Sequence, residues 1–307
     1  MCGIVGLLIK KPELRNHLGE WMMPMLLGMT ERGPDSAGLA VYTKEAGANE
    51  FKYSLHAPAM DYDWTAVERD FNHHLGSAVE IVEKGNHGIL ISHLESSVVK
   101  TWLKDHYPEL HVLSMGRSMD LYKDIGTPGE VAARYDFKSL QGTHLIGHTR
   151  MATESAVTPD RAHPFTAGAD FCLVHNGSLS NPYQIRRKLE PLGVNFETDN
   201  DTEAACRYLE WRMREGDDLA TALKKGFEEL DGFFTFLMGT KTEMALVRDP
   251  YACKPAIVAE TDRAVTRIAE ARAAIGKVIF GQEIVIDQAL ITLLSGGERS
   301  MTAVALL

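Results

Sequence analysis

Cysteine is scarce: four stand in 307 residues, at positions 2, 172, 206 and 253, and none forms a C-x-x-C pair. That excludes a disulfide framework or a zinc ribbon and fits reduced thiols. Long apolar runs are missing too; no stretch of about 18 apolar residues occurs, so no membrane-spanning helix is expected. The opening MCGIVGLLIKK has no basic segment ahead of its apolar residues. It therefore does not read as a signal peptide, and a cytoplasmic location is expected. Positive charge is in deficit, with 32 Lys and Arg against 42 Asp and Glu and a formal net charge of -10. Without a dense basic stripe, neither nucleic acid nor an anionic membrane is an expected partner. The twelve histidines include no H-x-x-x-H pair with a carboxylate beside it, so neither a metal nor another cofactor is expected.

What is present is ordinary for a globular chain: 45% hydrophobic and 24% charged residues, in a length sufficient for one large domain or two smaller ones. GIVGLLI at 3–9 reads as a strand and WMMPMLLGMTERG as an apolar helix closing at Gly33. AGLAVYTK and EFKYSLHA read as two strands joined in a hairpin through the Gly/Asn turn at 47–49. Trp64, Val67, Phe71, Leu75 and Val79 recur at helical spacing, predicting one amphipathic helix over 64–85. The block from about 60 to 140 carries little chemistry and reads as a domain insertion or a partner-facing surface. Beyond it, GTHLIGHTR, DFCLVHNGSLSN, GFFTFLMGT, EMALVRDP and AIVAET read as strands and TEAACRYLEWRMREG as a helix stopped by Gly216. Strands that come in adjacent pairs favour antiparallel sheets with helices packed on them, an α+β arrangement.

Chemistry concentrates in four polar islands at strand ends: Cys2, HTRMAT (148–153), HNGSL (175–179) and DNDTE (199–203). Each alone has a plain reading. Cys2 is a buried thiol, Asn176-Gly177 a turn, Arg150 a surface arginine and Asp201 a helix cap. Together they supply what attack on a carboxamide requires. Removal of Met1 leaves Cys2 with a thiol and a free α-amine, groups whose ordinary pKa values of about 8.5 and about 7.7–8.0 suit proton transfer between them. Asn176 offers a side-chain amide and Gly177 a backbone N–H to a developing oxyanion. Arg150 offers a bidentate clamp for a carboxylate, and Asp201 a partner for an ammonium. A substrate with carboxamide, α-carboxylate and α-ammonium is glutamine or asparagine.

CGIVG at 2–6, RGPDSAG at 32–38, HTRMAT, HNGSLSN at 175–181, DTE at 201–203 and VRDPYACKP at 247–255 resemble, in order, the glutaminase domain of class-II glutamine amidotransferases. The resemblance covers about residues 2–262. It implies an N-terminal-nucleophile hydrolase fold, a four-layer αββα sandwich of antiparallel sheets. It also implies Cys2 as nucleophile, Asn176 and Gly177 as oxyanion hole, Arg150 and Asp201 as substrate clamps, and a supporting turn at Arg32 and Gly33. Within the class, the start of the chain and the 60–140 segment are most similar to the separate amidotransferase subunit of glutamate-synthase-like, N-methylglutamate synthase systems. That likeness implies L-glutamine as substrate and companion synthase subunits, a flavin/iron–sulfur chain and a β-helical chain, that use the ammonia. Two other readings stay open: a catalytically silent regulatory or scaffold subunit, and an N-terminal-nucleophile amidohydrolase for another amide.

The segment 263–307 departs from the family pattern. Residues 264–297 resemble the N-terminal segment of MoxR-type AAA+ ATPases, but no G-x-x-x-x-G-K-[ST] loop follows, so ATPase activity is not expected. The segment reads as a helical tail, a fusion or frame-shift remnant with helices at 265–275 and 283–294. Such a tail in place of a closing strand is expected to leave the neighbouring sheet edge incomplete.

Overall fold

In the computed structural model, residues 2–151, 158–251, 253–261 and 301–306 are described. The apolar run after Cys2 forms β1 (Gly3–Ile9), and the helix after it is α1 (Leu18–Leu27). Next come β2 (Ser36–Tyr42), β3 (Phe51–His56), α2 (Trp64–Leu75), β4 (Glu80–Lys84), β5 (His87–Ser92), α3 (Ser96–His106) and β6 (His111–Gly116). β7 (Met119–Ile125), α4 (Pro128–Arg134) and β8 (His144–Arg150) return to the start of the chain. β9 (Phe165–Ala167), β10 (Phe171–Leu179), α5 (Pro182–Leu189), α6 (Asp201–Arg214), α7 (Leu219–Glu229), β11 (Gly232–Gly239) and β12 (Met244–Arg248) make the second half. β13 (Ala256–Thr261) and β14 (Met301–Leu306) complete the described elements.

Two antiparallel sheets stack face to face. The first has the order β13-β14-β1-β8-β2-β7 and the second β12-β11-β10-β9. Alternation along β1 and β2 explains why both read as unbroken apolar runs, since each face is covered. Val5, Leu7, Ile9, Leu39 and Val41 point outward into a core with Leu18, Met22, Leu26 and Val131 of α1 and α4. Ile4, Ala40 and Tyr42 point inward, where they meet Cys172, Val174 and Leu237 of the second sheet. On that sheet's far side Leu173, Phe234 and Phe236 pack under Ile185, Leu189, Ala204, Ala205, Tyr208 and Ala222 of α5–α7. Helices, sheet, sheet, helices: the chain is a four-layer αββα sandwich of α+β class.

A third sheet, ordered β4-β5-β3-β6, is added beside it. α2 and α3 lay Trp64, Val67, Phe71, Val99, Trp102 and Leu103 on Tyr53, Leu55 and Leu90 to close a core of its own. This added layer runs from β3 to β6, whereas β7 and α4, inside the 60–140 block, belong to the main sandwich.

Several expectations change. β2 and β3 are both strands, but β2 pairs with β7 and β8 while β3 pairs with β5 and β6, so they form no hairpin. The helix begun at Trp64 stops at Gly76, whose left-handed φ of 61° takes no strain from a glycine, and Val79 reaches the same core from the next loop. The edge expected to be incomplete is instead filled: β14 runs between β1 and β13, in register from Ile4↔Leu306 to Ile9↔Met301 and from Ala256↔Leu306 to Thr261↔Met301. The proposed helices at 265–275 and 283–294, and the ATPase-like stretch 264–297 with them, lie outside the described residues.

Candidate active site

Every element that carries a polar island ends on the same side of the sandwich. Gly3 pairs with Thr149, so Cys2 and Arg150 stand at one end of the neighbouring strands β1 and β8. Ser36 at the start of β2 pairs with Arg150, and the Asp35 N–H donates to the Arg150 carbonyl at 3.0 Å. Arg32 and Gly33 form the turn that abuts this strand end. A Cβ on Gly33 would lie 2.3 Å from the Thr149 carbonyl carbon, so only glycine lets that turn close against β8.

Across the sheet interface, Asn176 Nδ2 donates to the Cys2 carbonyl at 3.0 Å. Asn176 is buried while Gly177 beside it is exposed, so this stretch of β10 surfaces next to Cys2. Gly177 has a φ of 152°, and a Cβ there would meet Phe233 O at 2.1 Å, Phe234 Cα at 2.8 Å and His175 Nε2 at 2.9 Å. Asn-Gly here is therefore no hairpin turn; the pair lies inside a strand in register with Thr235 and Phe234.

Asp201 opens α6. Its Oδ2 accepts from the Leu179 N–H at 2.9 Å, which fastens the helix start to β10 two residues beyond Gly177. The cap is Asn200 instead, whose Oδ1 accepts from the Thr202 N–H at 2.8 Å. Burial pushes the Asp201 carboxyl up, but the facing His175 ring and the N–H groups of Leu179 and Thr202 outweigh it and hold the carboxyl below its usual range. Its Oδ1 stands 3.8 Å from His175 Nδ1.

Behind these residues lies a buried histidine cluster that the motifs contained but sequence reasoning did not single out. His148 Nε2 donates to the His175 carbonyl at 3.2 Å, and the His148 ring stacks on His163 with centroids 4.0 Å apart. Thr202 Oγ1 lies 3.0 Å from His163 Nε2 and 3.1 Å from His175 Nδ1. Burial drives His148 down to about 3 and His163 well below its ordinary value, so both rings are neutral at pH 7. The loop that bears His163 is pinned by Lys123, whose buried ammonium donates to the carbonyls of Asp160, Ala162 and Pro164. His148, His175 and Thr202 sat inside HTRMAT, HNGSL and DNDTE; His163 had no such flag, because only the long-range packing of its loop brings it here.

Of the other cysteines, Cys172 and Cys206 are fully buried and burial raises both thiols, Cys172 to about 12. They stay protonated and enclosed. Cys253 is exposed, and Cys2, half-buried, is the cysteine whose backbone Asn176 touches.

A family model described as a glutamine amidotransferase domain matches residues 148–275, a span that contains the Arg150, Asn176, Gly177 and Asp201 positions and runs into the segment expected to stand apart as a tail. The glutamine amidotransferase-like protein GlxB of Rhizobium meliloti is 47% identical over 274 residues, 89% of this chain and 90% of its own length. A putative glutamine amidotransferase of Methanothermobacter thermautotrophicus is 35% identical over 295 residues, 92% and 96% of the two chains. Among solved structures, the glutamine phosphoribosylpyrophosphate amidotransferase of B. subtilis superposes with a TM-score of 0.53 at 20% identity over 85% of this chain. A second, the allosteric regulatory enzyme of purine biosynthesis, gives 0.56 at 17% over 99%. The chain spans 40% and 41% of those two structures, and at such identities the likeness shows the fold alone, the four-layer αββα sandwich. On its near full-length relatives, the chain belongs to the glutamine amidotransferase family.

Proposed function

We propose that the chain is a glutaminase subunit, hydrolysing L-glutamine to glutamate and ammonia through a thioester on Cys2. The observation that carries this reading is the hydrogen bond from Asn176 to the Cys2 backbone, which joins residues 174 apart in sequence. It sets a thiol-bearing residue beside an amide donor and next to Gly177, an exposed residue of β10.

The steps follow from the groups present. With Met1 removed, the α-amine of Cys2 takes the thiol proton through a water, because direct transfer within one residue is strained. The sulfur adds to the δ-carbonyl carbon of glutamine, and the oxygen, now negative, receives hydrogen bonds from Asn176 Nδ2 and the Gly177 N–H. To do so, Asn176 turns its amide from the Cys2 carbonyl to the substrate. The protonated amine gives its proton to the leaving nitrogen, the C–N bond breaks and ammonia departs. Water then attacks the γ-glutamyl thioester with the amine as base, and glutamate leaves with the thiol restored. Arg150 holds the α-carboxylate and Asp201, ionised by its three partners, the α-ammonium. Arg32 and Gly33 support the strand end that bears Arg150.

Ammonia is volatile and uncharged enough to escape, so its productive use requires an acceptor site close by. We assign that site to companion synthase subunits, the flavin/iron–sulfur and β-helical chains of glutamate-synthase-like systems. Glutamate release from L-glutamine, measured on the chain alone and with co-purified chains, tests both parts. Release by the chain is expected; its absence in both preparations would leave a silent scaffold subunit as the better description.

A further inference from the structure

The hydroxyl of Thr202 occupies an unusual place. It lies between two buried imidazoles, 3.0 Å from His163 Nε2 and 3.1 Å from His175 Nδ1, and 3.4 Å from Asp201 Oδ1. A hydroxyl has one proton and two lone pairs, so it donates to one of these three neighbours and accepts from another. All four groups are thus tied into a single arrangement. His163 sits on the loop pinned by Lys123, and His175 precedes Asn176 on β10. Its main-chain carbonyl is held in turn by His148, two residues before Arg150. Thr202 itself, 1% exposed, follows Asp201 on the first turn of α6.

We propose that Thr202 is a positioning residue for substrate recognition: by bridging His163 and His175 it fixes the start of α6 against β10 and so sets the Asp201 carboxylate where the substrate's α-ammonium binds. The inference rests on the glutaminase reading above. Asp201 has one close hydrogen bond of its own to β10, from the Leu179 N–H at 2.9 Å, and a longer contact to His175 Nδ1 at 3.8 Å; the Thr202 bridge holds that His175 ring and the helix start together, and so fixes the direction of the carboxylate as well as its place. Without the hydroxyl, two buried ring nitrogens lose a partner, and the helix start is free to shift away from them.

Thr202→Val keeps the shape of the side chain and removes the hydroxyl, whereas Thr202→Ser keeps the hydroxyl. The substrates to compare are L-glutamine and 4-carbamoylbutanoate, which is glutamine without its α-amino group. Because the ammonium contact is made before and during the reaction alike, its loss raises KM and leaves kcat nearly unchanged. Thr202→Val is expected to raise KM for L-glutamine at least about tenfold, with kcat within about threefold, and to change kcat/KM for 4-carbamoylbutanoate by less than about threefold. Thr202→Ser should recover most of the L-glutamine KM. Equal losses on both substrates would mean that Thr202 merely holds the fold together and would overturn the proposal, as would an unchanged KM. Should Thr202→Val not fold, His163→Phe keeps a ring to stack on His148, removes the nitrogen that meets Thr202, and is held to the same two results. A wild-type chain inactive on both substrates would instead defeat the glutaminase reading itself.

Discussion

Adding one methyl group at Gly177 probes the site where its geometry is tightest. In Gly177→Ala the new Cβ would lie 2.1 Å from Phe233 O and 2.8 Å from Phe234 Cα, both backbone atoms of the paired strand β11. Neither can swing aside as a side chain can, so β10 must move. The φ of 152° adds backbone strain of about 1–3 kcal/mol, and overpacking of this kind costs about 1–3 kcal/mol more. A loss of about 3 kcal/mol in a domain of this size corresponds to a fall in Tm of roughly 6–12 °C. The larger effect is on rate: displacing β10 by about 1 Å moves both donors of the proposed oxyanion hole and should lower kcat about 10²-fold. Gly193→Ala is the matched control. Gly193 also has a positive φ, 81°, but nothing lies within 4 Å of its Cβ, so it carries strain without a clash. That variant should lose about 1 kcal/mol and keep its full kcat. Coupled assay of glutamate release and thermal unfolding of both variants provide the comparison. Gly177→Ala with a kcat within about threefold of wild type would refute the placement of the oxyanion hole at Asn176–Gly177.

Other outcomes follow from the same structure. Asp201→Asn removes the charge proposed to face the substrate ammonium and should raise KM for L-glutamine by about tenfold or more, with kcat less affected; an unchanged KM would remove Asp201 from the proposed binding site. Burial holds His87 and His148 down at about 3 and His144 at about 4, whereas in the unfolded chain such rings take up a proton near pH 6.5. The unfolded state thus binds more protons across this window, and stability falls as pH drops from about 6.5 towards 4, by about 1.4 kcal/mol per pH unit for each ring. Thermal unfolding at pH 7.5 and pH 5 checks this, and an unchanged Tm contradicts it. Asp201, held low, stays ionised through the same window and is not the source of the loss. Ending the chain at Ser300 removes β14 from between β1 and β13 and should lower Tm by more than roughly 5 °C, because the strand that follows Cys2 loses a six-residue partner. A Tm equal to that of the full chain would show that β14 adds nothing to the sheet.

How far the sequence foretold this site depends on which residues carry local signals. β1, β8 and β10 were legible because their apolar runs meet polar residues, which singled out Cys2, Arg150 and Asn176 as candidates, while Asp201 was singled out by the polar stretch before the helix TEAACRYLEWRMREG. What joins them is not local. Nothing in EFKYSLHA distinguishes a hairpin partner of β2 from the centre of a separate sheet, since pairing register is set by distant strands. The helix predicted to run to residue 85 fits its apolar spacing through Val79, but Gly76 ends it and Val79 serves the same core from a loop. β14 was hidden in a segment whose likeness to another family drew attention to helices, although MTAVAL is a plain apolar strand of β-branched and small residues. Asp201 illustrates the reverse case. Its position just ahead of a helix expected to begin at Thr202 or Glu203 suggested a cap, whereas Asn200 caps the helix and leaves the Asp201 carboxylate to Leu179 and His175.

The most direct test is chemical. Purified chain with Met1 removed, verified by intact mass, is incubated with L-glutamine, and glutamate and ammonia are quantified alongside Cys2→Ala. Equimolar glutamate and ammonia from the wild type, and none from a Cys2→Ala variant of unchanged Tm, is the predicted result. Glutamine hydrolysis retained by that variant would contradict Cys2 as the nucleophile.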